Sequence, residues 1–420
     1  MNRDLEKHPC FSIDAKHKYS RVHLPVAPKC NIQCAYCDRK FDCVNESRPG
    51  VSSALLKPFQ ALEYVKTINK KLDNLSVVGI AGPGDPFANP EETMETLKLI
   101  REEFPEVLLC VSTNGLELYP YIEELKKLEV SHITLTINSL DPEVLGKIYS
   151  WVRFKKKVYR GTEAGSVILT EQLRCLEKLR QVGLRVKVNT IVIPGINDDK
   201  IVELAKEVQK YDVFSMNCIP LFPTPNTPFE SIPEPTPGMV KQIRNDVKKY
   251  VMPMVHCARC RADAAGILGQ DEPGSKCMIQ EFSKLRRKQD KGRTRVAVAS
   301  YEGMLVNQHL GEAESLIVFE DTPLGYRKVE ERKTPSQGGG ELRWAELGEL
   351  LSDCRAILVS GVGFRPSRIL SKTGLEIIQM TGLISTGLDS IYKGIELKTL
   401  KKADMHKCGA ECSGQGNGCG

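Results

Sequence analysis

The sequence predicts an α/β protein: an incomplete (β/α) barrel followed by a smaller α/β domain. Between residues 55 and 250, short β-type runs alternate with helix-length amphipathic segments, an alternation that implies parallel strands with helices outside them. A charged stretch at 283–293 then interrupts the pattern and reads as a linker. A length of 420 residues also calls for two or three domains. The expected division is 1–282 for the barrel with cysteine-bearing extensions at both ends, 283–293 for the linker, 294–402 for the second domain, and 403–420 for a flexible Cys/Gly-rich tail.

In chain order, the segment before residue 30 is short, unpatterned and rich in proline, and reads as loop. Barrel strands are expected over 76–81, 107–113, 132–138, 186–193 and 213–220. Helices are expected over 91–103, 118–128, 142–152, 169–182, 198–211 and 236–250. The β-type runs are apolar, as suits strands covered on both faces, and a site belongs at their carboxyl ends. In the second domain strands are expected over 294–300, 315–320, 325–331 and 356–360, with helices over 342–351 and 366–372.

Apolar residues make up 41% and charged residues 27% of the chain, the balance of a soluble globular protein. The net charge of +6 arises from 59 basic and 53 acidic residues and is not gathered in one block, which gives nucleic-acid binding no support. No run of eighteen apolar residues indicates a membrane helix, and the charged first seven residues lack the apolar core of a signal peptide. A cytoplasmic protein is expected. In that reducing setting fifteen cysteines read as metal ligands sooner than as disulfides.

The cysteines have a centre. Cys30, Cys34 and Cys37 fall within eight residues, with Tyr36 before the last. Three thiolates hold three irons of a [4Fe–4S] cube and leave the fourth iron open to a small molecule, whereas closed zinc sites want four ligands in paired knuckles. Spacing, aromatic residue and N-terminal position resemble the radical S-adenosylmethionine (SAM) enzymes. The resemblance implies that the open iron chelates SAM and that one electron cleaves it to a 5′-deoxyadenosyl radical. Residues 38–51 that follow are polar and turn-rich, a loop placed to cover the cluster.

Strand ends supply the rest of a SAM site. Gly82-Pro83-Gly84-Asp85-Pro86 follows the first strand after the triad, and its glycines allow backbone to approach a ligand. From the family resemblance Gly82 and Gly84, with Asp85 nearby, bind the SAM amino group. Later strands end in Thr113 and Asn114, in Thr136 and Asn138, and around Ile191; singly these are strand caps or turn formers, together a ribose, carboxylate and adenine site.

A second set, Cys257-Ala-Arg-Cys260, stands as a redox pair, half a zinc site or two thiolates for an iron–sulfur cluster. Cys110 lies in the strand 107–113, on the same pleat face as Asn114, where inert packing is the ordinary role. Cys10 and His23 sit in loop-like sequence ahead of the triad. With the run 39–50 and the turn 81–86, these segments resemble the radical SAM proteins of nitrogenase cofactor biosynthesis over residues 8–285. That resemblance implies the fusion of two [4Fe–4S] substrate clusters, with a carbide from the SAM methyl group and an added sulfur, into an eight-iron cofactor precursor. It also implies one substrate-cluster site at Cys10 and His23, another at Cys257 and Cys260, Cys110 between them, and a catalytic set of Cys30, Cys34, Cys37 and Cys110. Iron–sulfur donor proteins, cofactor carriers or scaffolds and an electron donor would be its partners.

Residues 296–300 and 306–311 are similar to the NifX-like carrier family, whose fold resembles ribonuclease H; His309 is the tempting ligand there, with a plain turn histidine as the alternative. Two other readings remain open: a different radical SAM enzyme with an auxiliary cluster, or a non-catalytic iron–sulfur scaffold. Roles for Cys43, Cys277, Cys408, Cys412 and Cys419 are not legible.

Overall fold

A computed structural model describes residues 3–43, 45, 51–285, 292–323, 325–393 and 395. It divides into two compact units, Met1–Arg287 and Lys288–Gly420. Part of the expected linker, and the tail 403–420 with Cys408, Cys412 and Cys419, lie outside the described residues.

The first unit is built on six parallel strands in sequential order: β1 (Ser20–His23), β2 (Leu75–Ile80), β3 (Leu108–Thr113), β4 (Val130–Thr136), β5 (Arg185–Val192) and β6 (Ser215–Pro220). Two short strands, β7 (Ala265–Ile267) and β8 (Gln270–Asp271), extend the β1 edge antiparallel. Helices Pro58–Ile68, Pro90–Glu103, Ile122–Lys127, Gly161–Gln181, Ile201–Val208 and Pro237–Val247 occur between or after the strands. Pro at the first helical turn and Asn89 or Thr236 before it start two of them, since proline's missing N–H is no loss there.

The strands are not apolar on both sides, which corrects the expectation. Val78, Ile80, Leu109, Val111, Ile133, Leu135, Val186, Val188 and Met216 belong to the main hydrophobic core. The alternate residues of the same strands form polar rungs: His23, Gly79, Cys110 and His132 are in register, and so are Ser112, Thr134, Lys187 and Ser215. Period-two alternation sends one set to the helices and the other to the barrel interior, so a barrel that must hold a polar guest keeps only half of its strand residues apolar.

Two further expectations are corrected. Residues 20–23 form β1 instead of loop, because their backbone pairs with β2 on one side and β7 on the other. The expected helix 142–152 stops at Ile148, and Tyr149–Phe154 becomes a strand paired with Ile32–Cys34, the segment that carries the middle cysteine of the triad. Aromatic and β-branched residues at 149–154 favour that pleated pairing.

The second unit holds a five-stranded sheet, with Arg295–Val298 central between Ser315–Thr322 and Cys354–Val359 and with Gly325–Lys333 and Glu376–Gln379 at the edges. Helices Gly340–Leu350, Phe364–Lys372 and Ile384–Tyr392 accompany it. Val296 and Val298 pack on one side of this sheet, with Met380 and Leu388; Ala297 packs on the other, with Trp344 and Leu370.

Candidate functional site

Cys30, Cys34 and Cys37 line a partly open cavity at the carboxyl end of the barrel, together with Tyr36, Gly84, Asp85, Ser112, Thr113, Asn114 and Thr136. Local packing fixes the cysteine loop. Ile32, Cys34 and Tyr36 belong to a small core with Leu145, Ile148, Tyr149 and Val152, and Ala35 N donates to the Ile148 carbonyl. Burial pushes the Cys30 thiol up to about 11 and the Cys34 and Cys37 thiols up as well. Such thiols deprotonate when a cation takes the proton's place, which fits them to iron.

The residues expected to bind SAM divide into two groups. Asp85 accepts from the Thr113 hydroxyl at 2.9 and 3.0 Å, from Asn114 N at 2.7 Å and from Phe87 N at 2.9 Å. Its carboxylate therefore ties the Gly82–Pro86 turn to the end of β3. Gly84 is required for a backbone contact: its N–H donates to the Ala27 carbonyl at 2.6 Å, and a Cβ there would lie 2.1 Å from the Lys29 carbonyl oxygen. The turn thus clamps the chain immediately before Cys30. Gly82 adopts φ +139°, a conformation open to glycine.

Asn138 sits at the centre of a buried network. It donates to the Tyr36 and Tyr149 hydroxyls at 3.0 and 3.2 Å and accepts from Ile191 N at 2.9 Å, while Tyr36 donates to Asn45. Asn114 donates to Asn31 at 2.7 Å and stands 4.0 Å from Cys30 Sγ. Thr136 lines the cavity; Asn138 and Ile191 are not among its lining residues.

Cys43 lines the same cavity, so the thiols there number four, not three. Its N–H donates to the Pro83 carbonyl at 3.0 Å, and burial holds its thiol well above the ordinary range. Beside it Asp42 accepts from Ser52 N and Oγ, and Asp263 accepts from Ser53 N and Oγ and pairs with Arg261. These carboxylates fasten the covering loop to the segment after Cys260. Sequence spacing offered no signal for Cys43 beyond its position six residues after Cys37.

The remaining expected ligands lie deeper in the barrel. His23 and Cys110 flank Gly79: a side chain at Gly79 would lie 3.3 Å from His23 Cδ2 and 3.7 Å from Cys110 Cβ. Cys10 is placed by its own N–H on His8 Nδ1 at 3.1 Å, and the loop containing Cys257 is held to it by His256 Nε2 and the Pro9 carbonyl, 3.1 Å apart. Burial pushes the Cys10 thiol up to about 12, with the Cys260 and Cys257 thiols and the Lys187 and Arg21 charges all close enough to act on it. The segments of the two expected substrate sites are therefore neighbours, with their cysteines partly buried. His8 Nε2, His132 Nε2, Ser112 Oγ, Ser215 Oγ and Asn217 Oδ1 are buried without hydrogen-bond partners, as a polar interior made for a polar guest requires. Among the described residues no three His, Cys, Asp or Glu side chains converge on a single metal ion; ligands of an iron–sulfur cube stand farther apart around a larger body.

Comparison with known proteins now decides the family. The chain is 49% identical to the FeMo cofactor biosynthesis protein NifB of Chlorobaculum tepidum over 425 residues, covering all of both chains. The chain belongs to the NifB family. NifB of Klebsiella pneumoniae is 38% identical over 408 residues, 88% of this chain and 86% of that protein. The Radical SAM superfamily model matches residues 24–208, which include the cysteine loop and β2 to β5. The Dinitrogenase iron-molybdenum cofactor model matches residues 292–394, the sheet of the second unit. Membership in NifB and the radical SAM superfamily implies a [4Fe–4S] cluster and SAM, for which the cavity at Cys30, Cys34 and Cys37 is chemically suited. Among the described residues no helix is long and apolar enough to cross a membrane.

Proposed function

We propose that this chain fuses two [4Fe–4S] substrate clusters, with a SAM-derived carbide and an added sulfur, into the eight-iron precursor of the nitrogenase iron–molybdenum cofactor. The observation that supports the reading is that a second set of candidate iron ligands lies apart from the triad's cavity: His23 and Cys110 flank Gly79, His23 Nδ1 meets the Arg261 carbonyl next to Cys260, and the segment of Cys257 is tied to that of Cys10 through His256 and the Pro9 carbonyl. A simpler radical SAM enzyme needs the triad alone or one auxiliary set.

Cys30, Cys34 and Cys37 would hold the SAM cluster, which when bound would pass on the one electron that cleaves SAM, while SAM itself would supply the methyl group for transfer. Thr136 and Asn114 face the same cavity, and Arg39 brings a cation to its lining, where a carboxylate can be received. Tyr36, Asn138 and Ile191 act one layer behind, keeping the loop and the end of β5 in fixed relation. Gly82, Gly84 and Asp85 shape the wall beside Cys30. Deeper, Cys10 and His23 would hold one substrate cluster, Cys257 and Cys260 the other, and Cys110 stands on the rung beside His23. Neutral imidazole is a weaker iron ligand than thiolate, which suits a cluster that leaves in the product. Iron–sulfur donors, an electron donor and carriers or scaffolds of cofactor assembly are the partners this reaction needs, and the cytoplasm is the reducing compartment it needs. The segments 1–282 and 294–402 would divide as reaction and carrier domains.

The test is anaerobic. Alanine at Cys30, Cys34 and Cys37 together is expected to abolish formation of 5′-deoxyadenosine and S-adenosylhomocysteine. Cys257→Ala with Cys260→Ala is expected to remove one cluster's iron and the ability of extracted product to activate cofactor-free nitrogenase. A double variant with full iron and full activation would overturn the two-site reading.

A further inference from the structure

Arg21 has no place in the assignments above, yet it is among the largest fully buried side chains of the protein, at 1% exposure. Burying a guanidinium is costly unless each face of it is answered. Nη1 donates to the carbonyls of Gly266 at 2.6 Å and Ile267 at 3.1 Å. Nη2 donates to Asp271 Oδ1 at 2.9 Å and, with its other proton, to Cys260 Sγ at 3.2 Å. Nε is buried with no partner. The carbonyls and carboxylate belong to the β7–β8 hairpin, so the fork is held by backbone and has little freedom to turn away from the sulfur.

The sequence places this group close to both sets of expected ligands. Arg21 and His23 are two apart on β1 and so share a face of the strand. Arg21 engages Cys260, while His23 lies beside Cys110 across Gly79. Asp271, the carboxylate that balances the guanidinium, is one-third exposed at its side chain and takes its bond from the same nitrogen, Nη2, as Cys260 Sγ.

We propose that Arg21 is the positioning residue of the Cys257/Cys260 site, presenting Cys260 Sγ in a fixed orientation and setting a permanent positive charge against the iron–sulfur cluster held there. The inference rests on the reading of that site given under the proposed function. Two effects follow. An N–H donated to a cluster sulfur withdraws electron density and, with the adjacent charge, favours the more reduced cluster, which raises its reduction potential. The same contact restrains Cys260 in the cluster-free protein and so favours retention of a cluster that carries net negative charge.

The experiment uses the full chain, reconstituted anaerobically with iron and sulfide, in a background where Cys30, Cys34 and Cys37 are alanine so that the remaining clusters can be read without the SAM cluster. Iron content, electron paramagnetic resonance spectra and midpoint potentials are compared for Arg21, Arg21→Met, Arg21→Lys and Asp271→Asn, with Cys257→Ala/Cys260→Ala defining the signal of the site. Arg21→Met is expected to lose that site's iron or to keep it at a lower potential. Arg21→Lys keeps the charge without the fork and should recover part of the shift. Asp271→Asn loosens the fork from a partly exposed position and should alter the site's spectrum while the protein stays folded. Should Arg21→Met fail to fold, the last two variants decide. Unchanged iron, spectrum and potential in the folded variants, while Cys257→Ala/Cys260→Ala loses its signal, overturns the role of Arg21 alone. No loss in the double cysteine variant removes the site itself, and with it both this inference and the two-site reading.

Discussion

His23 Nδ1 lies 3.0 Å from the carbonyl oxygen of Arg261. A carbonyl only accepts, so Nδ1 carries the proton and the lone pair is on Nε2, the nitrogen left for a metal. Burial draws the imidazole's affinity for a second proton down to a pKa of about 4, which keeps that lone pair available at neutral pH. The bond also ties β1 to the segment that follows Cys260, so one side chain serves both the fold and the expected iron site.

Asparagine separates these roles. In His23→Asn the amide nitrogen can reproduce the bond to the Arg261 carbonyl but supplies no nitrogen in place of Nε2. The expected outcome is one cluster's loss of iron with an unfolding free energy close to that of the parent. His23→Ala should lose the same iron and about 1 kcal/mol of stability as well, the ordinary net contribution of a hydrogen bond. Iron analysis and denaturant unfolding of the cluster-free proteins measure the two quantities separately.

Gly84→Ala tests whether the turn after β2 is a clamp on the cysteine loop. Its Cβ would meet the Lys29 carbonyl oxygen at 2.1 Å and the Pro28 carbonyl oxygen at 2.9 Å, both backbone atoms that cannot swing aside. A loss of about 2–3 kcal/mol is expected from the forced shift, together with weaker cluster retention at Cys30. Gly238→Ala is the control: it lies in the helix Pro237–Val247 with its nearest contact at 3.9 Å, and should be neutral or stabilising. Denaturation midpoints of the two variants should move apart.

Much of this architecture is legible in the sequence because it is written in local signals. The spacing of Cys30, Cys34 and Cys37, the turn at Gly82 and the alternation of strand and helix each lie within a few residues. What escaped depends on distant partners. β1 is four residues long, carries Arg21 and His23, and exists through pairing with β2 and β7 far along the chain. Tyr149–Phe154 continues a helical pattern until Ile32–Cys34 offers it a pairing edge. The polar rung of Ser112, Thr134, Lys187 and Ser215 was hidden among apolar neighbours because only the assembled sheet distinguishes its inner face from its outer one. Asp85 and Gly84 were legible as important positions, but their engagement with Thr113 and Lys29 belongs to tertiary contact.

A truncated chain ending at Leu285 is expected to fold and to cleave SAM. The endpoint matters, because Gln60 Nε2 in the helix Pro58–Ile68 donates to the carbonyls of Ser283 and Leu285, both at 2.9 Å. Ending the chain at 282 removes both acceptors and should lower the unfolding midpoint relative to 1–285. Soluble expression, thermal unfolding and 5′-deoxyadenosine formation check the proposal that 1–282 and 294–402 act as separate domains. An insoluble 1–285 protein beside an active full chain would count against it.

The histidines of the barrel floor give the cluster-free protein an acid-sensitive stability of definite sign. His132 is fully buried, with its ring 4.4 Å from His8 and 4.2 Å from Phe11. Burial, then the Arg185 and Lys187 charges, draw its pKa from 6.5 down to about 3, and burial with the neighbouring His132 lowers His8 as well. Between these values the unfolded chain binds a proton that the folded chain does not. Stability therefore falls as pH drops from about 6.5 towards 3, and becomes insensitive to this group once both states are protonated. His132→Gln removes the titration while keeping a polar group beside Ser131 Oγ, which stands 2.8 Å from His132 Nδ1. The variant is expected to show a shallower loss of unfolding free energy across pH 6.5 to 4 than the parent, measured by urea unfolding in metal-free buffer. Equal slopes in the two proteins would mean that His132 is not held neutral by its burial.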